Sequence, residues 1–144
     1  MSKNECLIEA KVEDVFRILA DGWSYAAWVV GASRIRDVDA TWPEPGSKIH
    51  HSVGAWPLLL NDTTTSLEYE PLRRLKLLVR AWPAGHGEVE LVATEVPEGC
   101  RLVMTEQATN GPISMLPAQL QDLALHPRND EALRRLKFIA ERRS

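Results

Sequence analysis

From residue 129 to residue 143 the chain reads NDEALRRLKFIAERR, and its apolar and charged positions separate with the period of a helix. Ala132, Leu133, Leu136, Ile139 and Ala140 fall at the i, i+3, i+4, i+7 spacing that stacks side chains on one face. Arg134, Arg135, Lys137, Glu141 and Arg142 take the other face. Asn129 suits an N-cap, Asp130 and Glu131 put negative charge in the first turn, and Lys137, Arg142 and Arg143 put positive charge toward the end, as the helix dipole favours. Burial of Leu133, Leu136 and Ile139 contributes roughly 1.5–3 kcal/mol each. A helix that depends on burial to this extent needs a broad apolar surface to lie on.

Upstream, a period of two supplies that surface. Residues 6–10 form a short alternation, and at Val12 the spacing turns helical, with Val12, Val15, Phe16 and Leu19 on one side. Asp21 and Gly22 stop that helix, and residues 23–30, WSYAAWVV, predict a second short helix or turn ended by Gly31. Residues 33–39 alternate weakly as a strand, and TWPEPGS at 41–47 is a proline and glycine turn. Further strands are predicted at 48–56, 58–70, 75–82, 88–96 and 101–109, divided by Pro57, Pro71, PAGHG and PEG. The count is about seven strands at hairpin spacing, one meandering antiparallel sheet. After Asn110, Gly111 and Pro112, residues 117–125 suit a short helix starting on proline, which His126 and Pro127 end before the last helix begins. With no repeat, low-complexity tract or linker, residues 1–144 read as a single domain.

Composition adds exclusions. A net charge of −3 and a pI near 5.8 give no whole-protein attraction to nucleic acid or anionic membrane. No apolar run approaches the ~20 residues of a membrane span, so integral membrane association is not expected. MSKNECLIEA lacks the pattern of a signal peptide, and a cytoplasmic location is expected. Cys6 and Cys100 make neither a disulfide framework nor a metal knuckle and are expected as small apolar strand residues.

The order of elements resembles the polyketide cyclase/dehydrase and lipid transport family of the START-like (Bet v 1-like, SRPBCC) superfamily. The matching stretches are VEDVFRILADGWSYAAWVVGASRIRDVD, EPGSKIHHSVGAWPL, and EYEPLRRLKL followed by GCRLVMTE. The resemblance implies an α+β helix-grip fold: a curved antiparallel sheet of about seven strands around a long C-terminal helix, with two short helices after the first strand. It also implies a deep apolar cavity between sheet and helix. Pro127 departs from relatives with one continuous closing helix, which implies a differently shaped cavity mouth near residues 115–127.

Motifs exclude more chemistry than they suggest. HExxH, paired CxxC, GxSxG, P-loop and GxGxxG patterns are all missing from the sequence. His50 and His51 are adjacent, so in a strand they face opposite sides and do not share a metal; no metal or cofactor is expected. Strand parity carries His51 inward with Ile49 and Val53, and Glu106 inward with Leu102 and Met104. An inward Glu106 either meets a cation or donor, with His51 one such partner, or sits near the cavity mouth, or stays protonated. The structural reading of both is a satisfied core histidine and a strand-end glutamate; the functional reading is an acid/base pair. The cavity wall is assigned to Trp28, Leu67, Tyr69, Leu77, Leu91 and Met104, with His51 and Glu106 as its polar groups. Three functions follow. The leading one is binding of a small hydrophobic or amphipathic molecule, a polyketide, fatty acyl or isoprenoid compound, for transport, sequestration or presentation. The others are a cyclase/dehydratase-like enzyme using His51 and Glu106, and a protein-interaction module on the same fold.

Overall fold

Alternating side chains in the middle of the chain become seven strands: β1 (Ser2–Ile8), β2 (Ala32–Val38), β3 (Lys48–Val53), β4 (Leu60–Glu70), β5 (Arg74–Ala81), β6 (Gly85–Val96) and β7 (Gly99–Asn110). The computed structural model describes residues 2–30, 32–53, 60–81 and 85–143. Its strands form one antiparallel sheet in the order β1-β7-β6-β5-β4-β3-β2, so the first strand returns to pair with the last. The predicted strand ends near Trp56, Pro57, Leu58 and Trp82 lie outside the described residues. At the β6–β7 turn Gly99 takes φ +141°, and a Cβ there would stand 2.5 Å from the Ile8 carbonyl oxygen, so the return of β1 beside β7 requires glycine.

Inward residues recur every second position and align across strands. Leu75, Leu91 and Met104 make one buried row, and Leu77, Val89 and Glu106 make the next. Strand β4 keeps this parity only in part. Ser66 pairs with Leu77, Glu68 with Lys76 and Tyr69 with Leu75, which leaves Leu67 as an extra residue in the register shift. Before the shift Thr64 and Ser66 are fully buried, and after it Tyr69 packs against the core. The expectation that Leu67 shares an inward face with Tyr69 is therefore corrected: the bulge turns the parity over between them, and Leu67 is only half-buried.

Two short helices close one end of the sheet. Helix α1 (Val12–Leu19) buries Val12, Val15, Phe16, Ile18 and Leu19. A 3-10 turn (Gly22–Ser24) follows, held by the Asp21 carboxylate, which accepts from the Trp23 amide at 3.2 Å and the Ser24 hydroxyl at 2.7 Å. That turn leads into α2 (Tyr25–Trp28), which buries both of its aromatic residues, while Trp23 stays exposed. Trp42 is buried and donates its indole N–H to the Leu19 carbonyl at 3.2 Å, tying the proline turn to the end of α1.

Helix α3 (Ala118–Arg143) is continuous, with Pro127 inside it. This corrects the expectation of two separate helices divided at His126 and Pro127. A proline removes its own N–H and crowds the carbonyl four residues back, at a penalty of about 3 kcal/mol. That carbonyl belongs to Leu123, which lies on the exposed part of the helix. Downstream, Ala132, Leu133, Leu136 and Ala140 are buried against the sheet and hold the C-terminal half in place. Asn129 is accordingly not an N-cap, and its side chain is buried.

The helix also secures an edge of the sheet. Lys137 donates to the Leu7 carbonyl at 3.0 Å, Glu141 accepts from the Glu9 amide at 2.8 Å, and Asn4 donates to the His126 carbonyl at 3.0 Å. The first two use backbone groups at the end of β1 that an edge strand would leave unpaired, and the third ties the Asn4 side chain to the helix backbone. No helix among the described residues is long and apolar enough to cross a membrane.

Candidate functional site

Three polar side chains from three elements meet in the core beneath α2. Tyr25 Oη lies 2.7 Å from Thr64 Oγ1, and His51 Nε2 lies 2.9 Å from the same oxygen. Their placement follows from local structure. His51 and His50 point to opposite faces of β3, so His50 meets Asp39 at 3.1 Å near the surface while His51 is 1% exposed. Thr64 shares the inward parity of β4 before its bulge, and the capped turn ahead of α2 sets Tyr25 edge-on to Trp28 and 5.4 Å from the His51 ring. The second ring nitrogen of His51, Nδ1, is buried and has no hydrogen-bond partner among the described residues.

Burial sets the protonation of this group. It pushes the Tyr25 phenol up to about 12 against the smaller opposing effect of the Thr64 hydrogen bond, so the hydroxyl keeps its proton. Burial also lowers the His51 pKa, opposed by nearby Asp62, so the imidazole is held neutral. A neutral imidazole with one free nitrogen is able to give or take one hydrogen bond, but not both.

Glu106 lies in a different cluster. Its carboxylate accepts from Arg128 at 2.6 and 2.7 Å and from the Asn129 amide at 2.8 Å. Of the alternatives open for this carboxylate, the structure shows the cation and the donor, both from α3 and neither of them His51. Gly87 makes room for the carboxylate, since a Cβ there would stand 3.2 Å from Oε2. The cluster therefore anchors the middle of α3 to β7.

Of the other residues assigned to the cavity wall, Trp28, Leu77, Leu91 and Met104 are buried in the core and Tyr69 packs against it. Tyr25, Thr64, Arg128 and Asn129 were missing from that assignment. The bulge concealed Thr64, and reading Pro127 as a helix break concealed Arg128 and Asn129. Two clefts bounded by described residues are open to solvent: a polar one by Lys76, Glu88, Glu90, Thr105, Glu106 and Gln107, and a mixed one by Glu9, Ala10, Lys11, Asp14, Pro97, Glu98 and Gly99. Neither is the deep apolar space expected from the sequence.

Comparison with solved structures agrees with the fold. The protein NE0264 from Nitrosomonas europaea superposes with a TM-score of 0.75 at 16% identity, covering 98% of this chain and 94% of that one. TTHA0849 from Thermus thermophilus gives 0.67 at 18% identity, covering 99% and 98%. The di-domain ARO/CYC StfQ from the steffimycin biosynthetic pathway gives 0.73 at 14% identity, covering 98% of this chain and 50% of StfQ. At these identities the likeness is one of fold. No curated protein matches the sequence. The family described as polyketide cyclase / dehydrase and lipid transport matches residues 3–141, nearly the whole chain. This protein belongs to the polyketide cyclase/dehydrase and lipid transport family.

Proposed function

We propose that this protein binds a small hydrophobic or amphipathic molecule, of polyketide, fatty acyl or isoprenoid type, between the sheet and α3, for transport, sequestration or presentation. One observation carries the reading: a buried histidine nitrogen without a partner among the described residues, set among apolar and aromatic side chains. Buried polar atoms are normally satisfied, and an exception inside an apolar core marks a place where a ligand atom completes the set. The family to which the chain belongs supports the same reading. Trp28, Tyr69, Leu77, Leu91 and Met104 supply the apolar contacts, His51 the polar one, with Leu67 and Glu106 at the margins.

The test is native mass spectrometry of the protein as purified, followed by titration with an environment-sensitive hydrophobic probe. A co-purifying small molecule, or probe binding that Ala93→Trp weakens more than it weakens folding, supports the reading. Ala93 is a small, buried, inward residue of β6, so enlarging it consumes ligand space. Absence of both sinks it.

A cyclase/dehydratase-like enzyme is the second reading, favoured by the fold shared with StfQ. His51→Ala separates it from a carrier: a carrier loses selectivity, whereas an enzyme loses turnover with its fold intact. Glu106→Gln also loosens the anchor to Arg128 and Asn129, so its turnover is read beside its melting temperature. The interaction-module reading draws on a different feature, the exposed apolar residues Met115, Leu116, Leu120 and Leu123. It moves ahead if no ligand or probe binds.

A further inference from the structure

We infer that Tyr25, Thr64 and His51 form a one-way chain of hydrogen bonds ending in an unused N–H at His51 Nδ1, and that the ligand meets it with a neutral carbonyl oxygen. The inference rests on the ligand-binding reading and adds the chemical class of the group bound.

Counting protons decides the direction. Tyr25 Oη and Thr64 Oγ1 each carry one proton, and the neutral imidazole carries one on either nitrogen. Two contacts, at 2.7 and 2.9 Å, join the three groups through Thr64 Oγ1. If Tyr25 donates to Thr64 and Thr64 donates to His51 Nε2, both hydroxyl protons are used, and Nδ1–H is the one group left short. If Nε2 carries the proton and donates to Thr64, one hydroxyl proton has no acceptor: that of Thr64 when Tyr25 also donates, or that of Tyr25 when Thr64 donates to it. Nδ1 is then an unmatched acceptor as well. Among the described residues the first arrangement strands one buried group and the second strands two, and each stranded group carries a desolvation penalty. The first arrangement is therefore the more stable.

The class of ligand follows from the free N–H. A donor at Nδ1 calls for an acceptor, and the ring that carries it is neutral, so the contact it offers is one uncharged hydrogen bond. A ketone, aldehyde or ester oxygen suits that site. A carboxylate would meet a neutral ring donor, since the nearby Arg36 bonds the His51 backbone carbonyl rather than the ring, and an alcohol would bring a proton needing its own buried acceptor. Tyr25 beside His51, with Trp28 edge-on to Tyr25, favours an apolar, ring-bearing body next to the carbonyl.

Two measurements test this. Ring nitrogen-15 correlation spectra at neutral pH should show His51 protonated at Nδ1 and bare at Nε2. In Thr64→Val, which keeps the side-chain shape and removes the relay, that preference should relax. Titration with naphthyl methyl ketone, the corresponding secondary alcohol and ethylnaphthalene should place the ketone ahead of the hydrocarbon by about threefold to tenfold, the net worth of one neutral hydrogen bond. The margin should shrink in Thr64→Val. A His51 ring protonated at Nε2, or equal binding of ketone and hydrocarbon, overturns this inference and leaves the ligand-binding reading standing. Failure of all three compounds to bind overturns the ligand-binding reading, and the ligand class with it.

Discussion

At the scale of single residues, two buried polar groups separate by the company they keep. Glu106 has a side chain 6% exposed, against 33% for its partner Arg128. Removing Arg128 leaves the carboxylate with Asn129 alone among the described residues, so Arg128→Ala should destabilise the fold by about 1–3 kcal/mol, partial exposure moderating the loss. Arg134→Ala, which breaks only exposed pairs with Asp130 and Glu131, should stay within about 0.5 kcal/mol. Denaturant midpoints of the two variants check this. His51 makes a prediction in pH. Its folded pKa is depressed below the ordinary value of 6.5, chiefly by burial, with Asp62 opposing the shift and Arg36 adding to it. The unfolded chain therefore takes up a proton that the fold resists, and stability falls as pH drops from about 6.5 through the depressed value. Melting temperature against pH should slope more steeply across that window in the native protein than in His51→Gln; equal slopes would show that His51 does not resist protonation. Parity made His51 and Glu106 legible as inward residues, but a pattern along one strand does not name partners that arrive from other elements.

At the scale of elements, α3 carries two further predictions. Pro127 interrupts the hydrogen-bond ladder of a continuous helix, so Pro127→Ala should raise the melting temperature, by up to about 3 kcal/mol of stability if the helix is otherwise unstrained. A fall would show that the packing of Arg128 and Asn129 depends on the proline. Leu136 is 0% exposed, and Leu136→Asp should destabilise by several kcal/mol, whereas Arg135→Ala on the open face should stay within about 0.5. Thermal melts of both check the face assignment. Periodicity identified the buried face of the second half correctly, because Leu133 and Leu136 pack against the sheet. It missed the union of the two halves, because a proline is a strong local stop signal that downstream packing overrode.

At the scale of the whole molecule, strand order brings the ends of the sequence together. Cys6 lies opposite Leu102 and Cys100 opposite Ile8 on neighbouring strands, a diagonal relation. Diagonal neighbours stand roughly 7–8 Å apart, beyond the about 4.4–6.8 Å between Cα atoms that a disulfide spans. Both cysteines are free, and burial pushes both thiols up. Thiol titration of the unfolded protein, without prior reduction, should therefore find two free groups and the folded protein should react slowly; no free thiol after unfolding would contradict the strand pairing.

Local patterning was enough for the element types, the buried face of the last helix, the hairpin sheet and the inward parity of His51 and Glu106. Each depends on a period of two or 3.6 residues and on turn residues acting over a few positions. The tertiary structure alone decided the rest. It inserted Leu67 as a bulge that hands the inward place to Thr64, carried α3 through Pro127, and gave Glu106 to Arg128 and Asn129. It also joined Tyr25 to His51 through Thr64. These depend on register between strands and on contacts across 13 to 39 residues, where burial outweighs local preference and a neighbour along the chain carries no record of a neighbour in space.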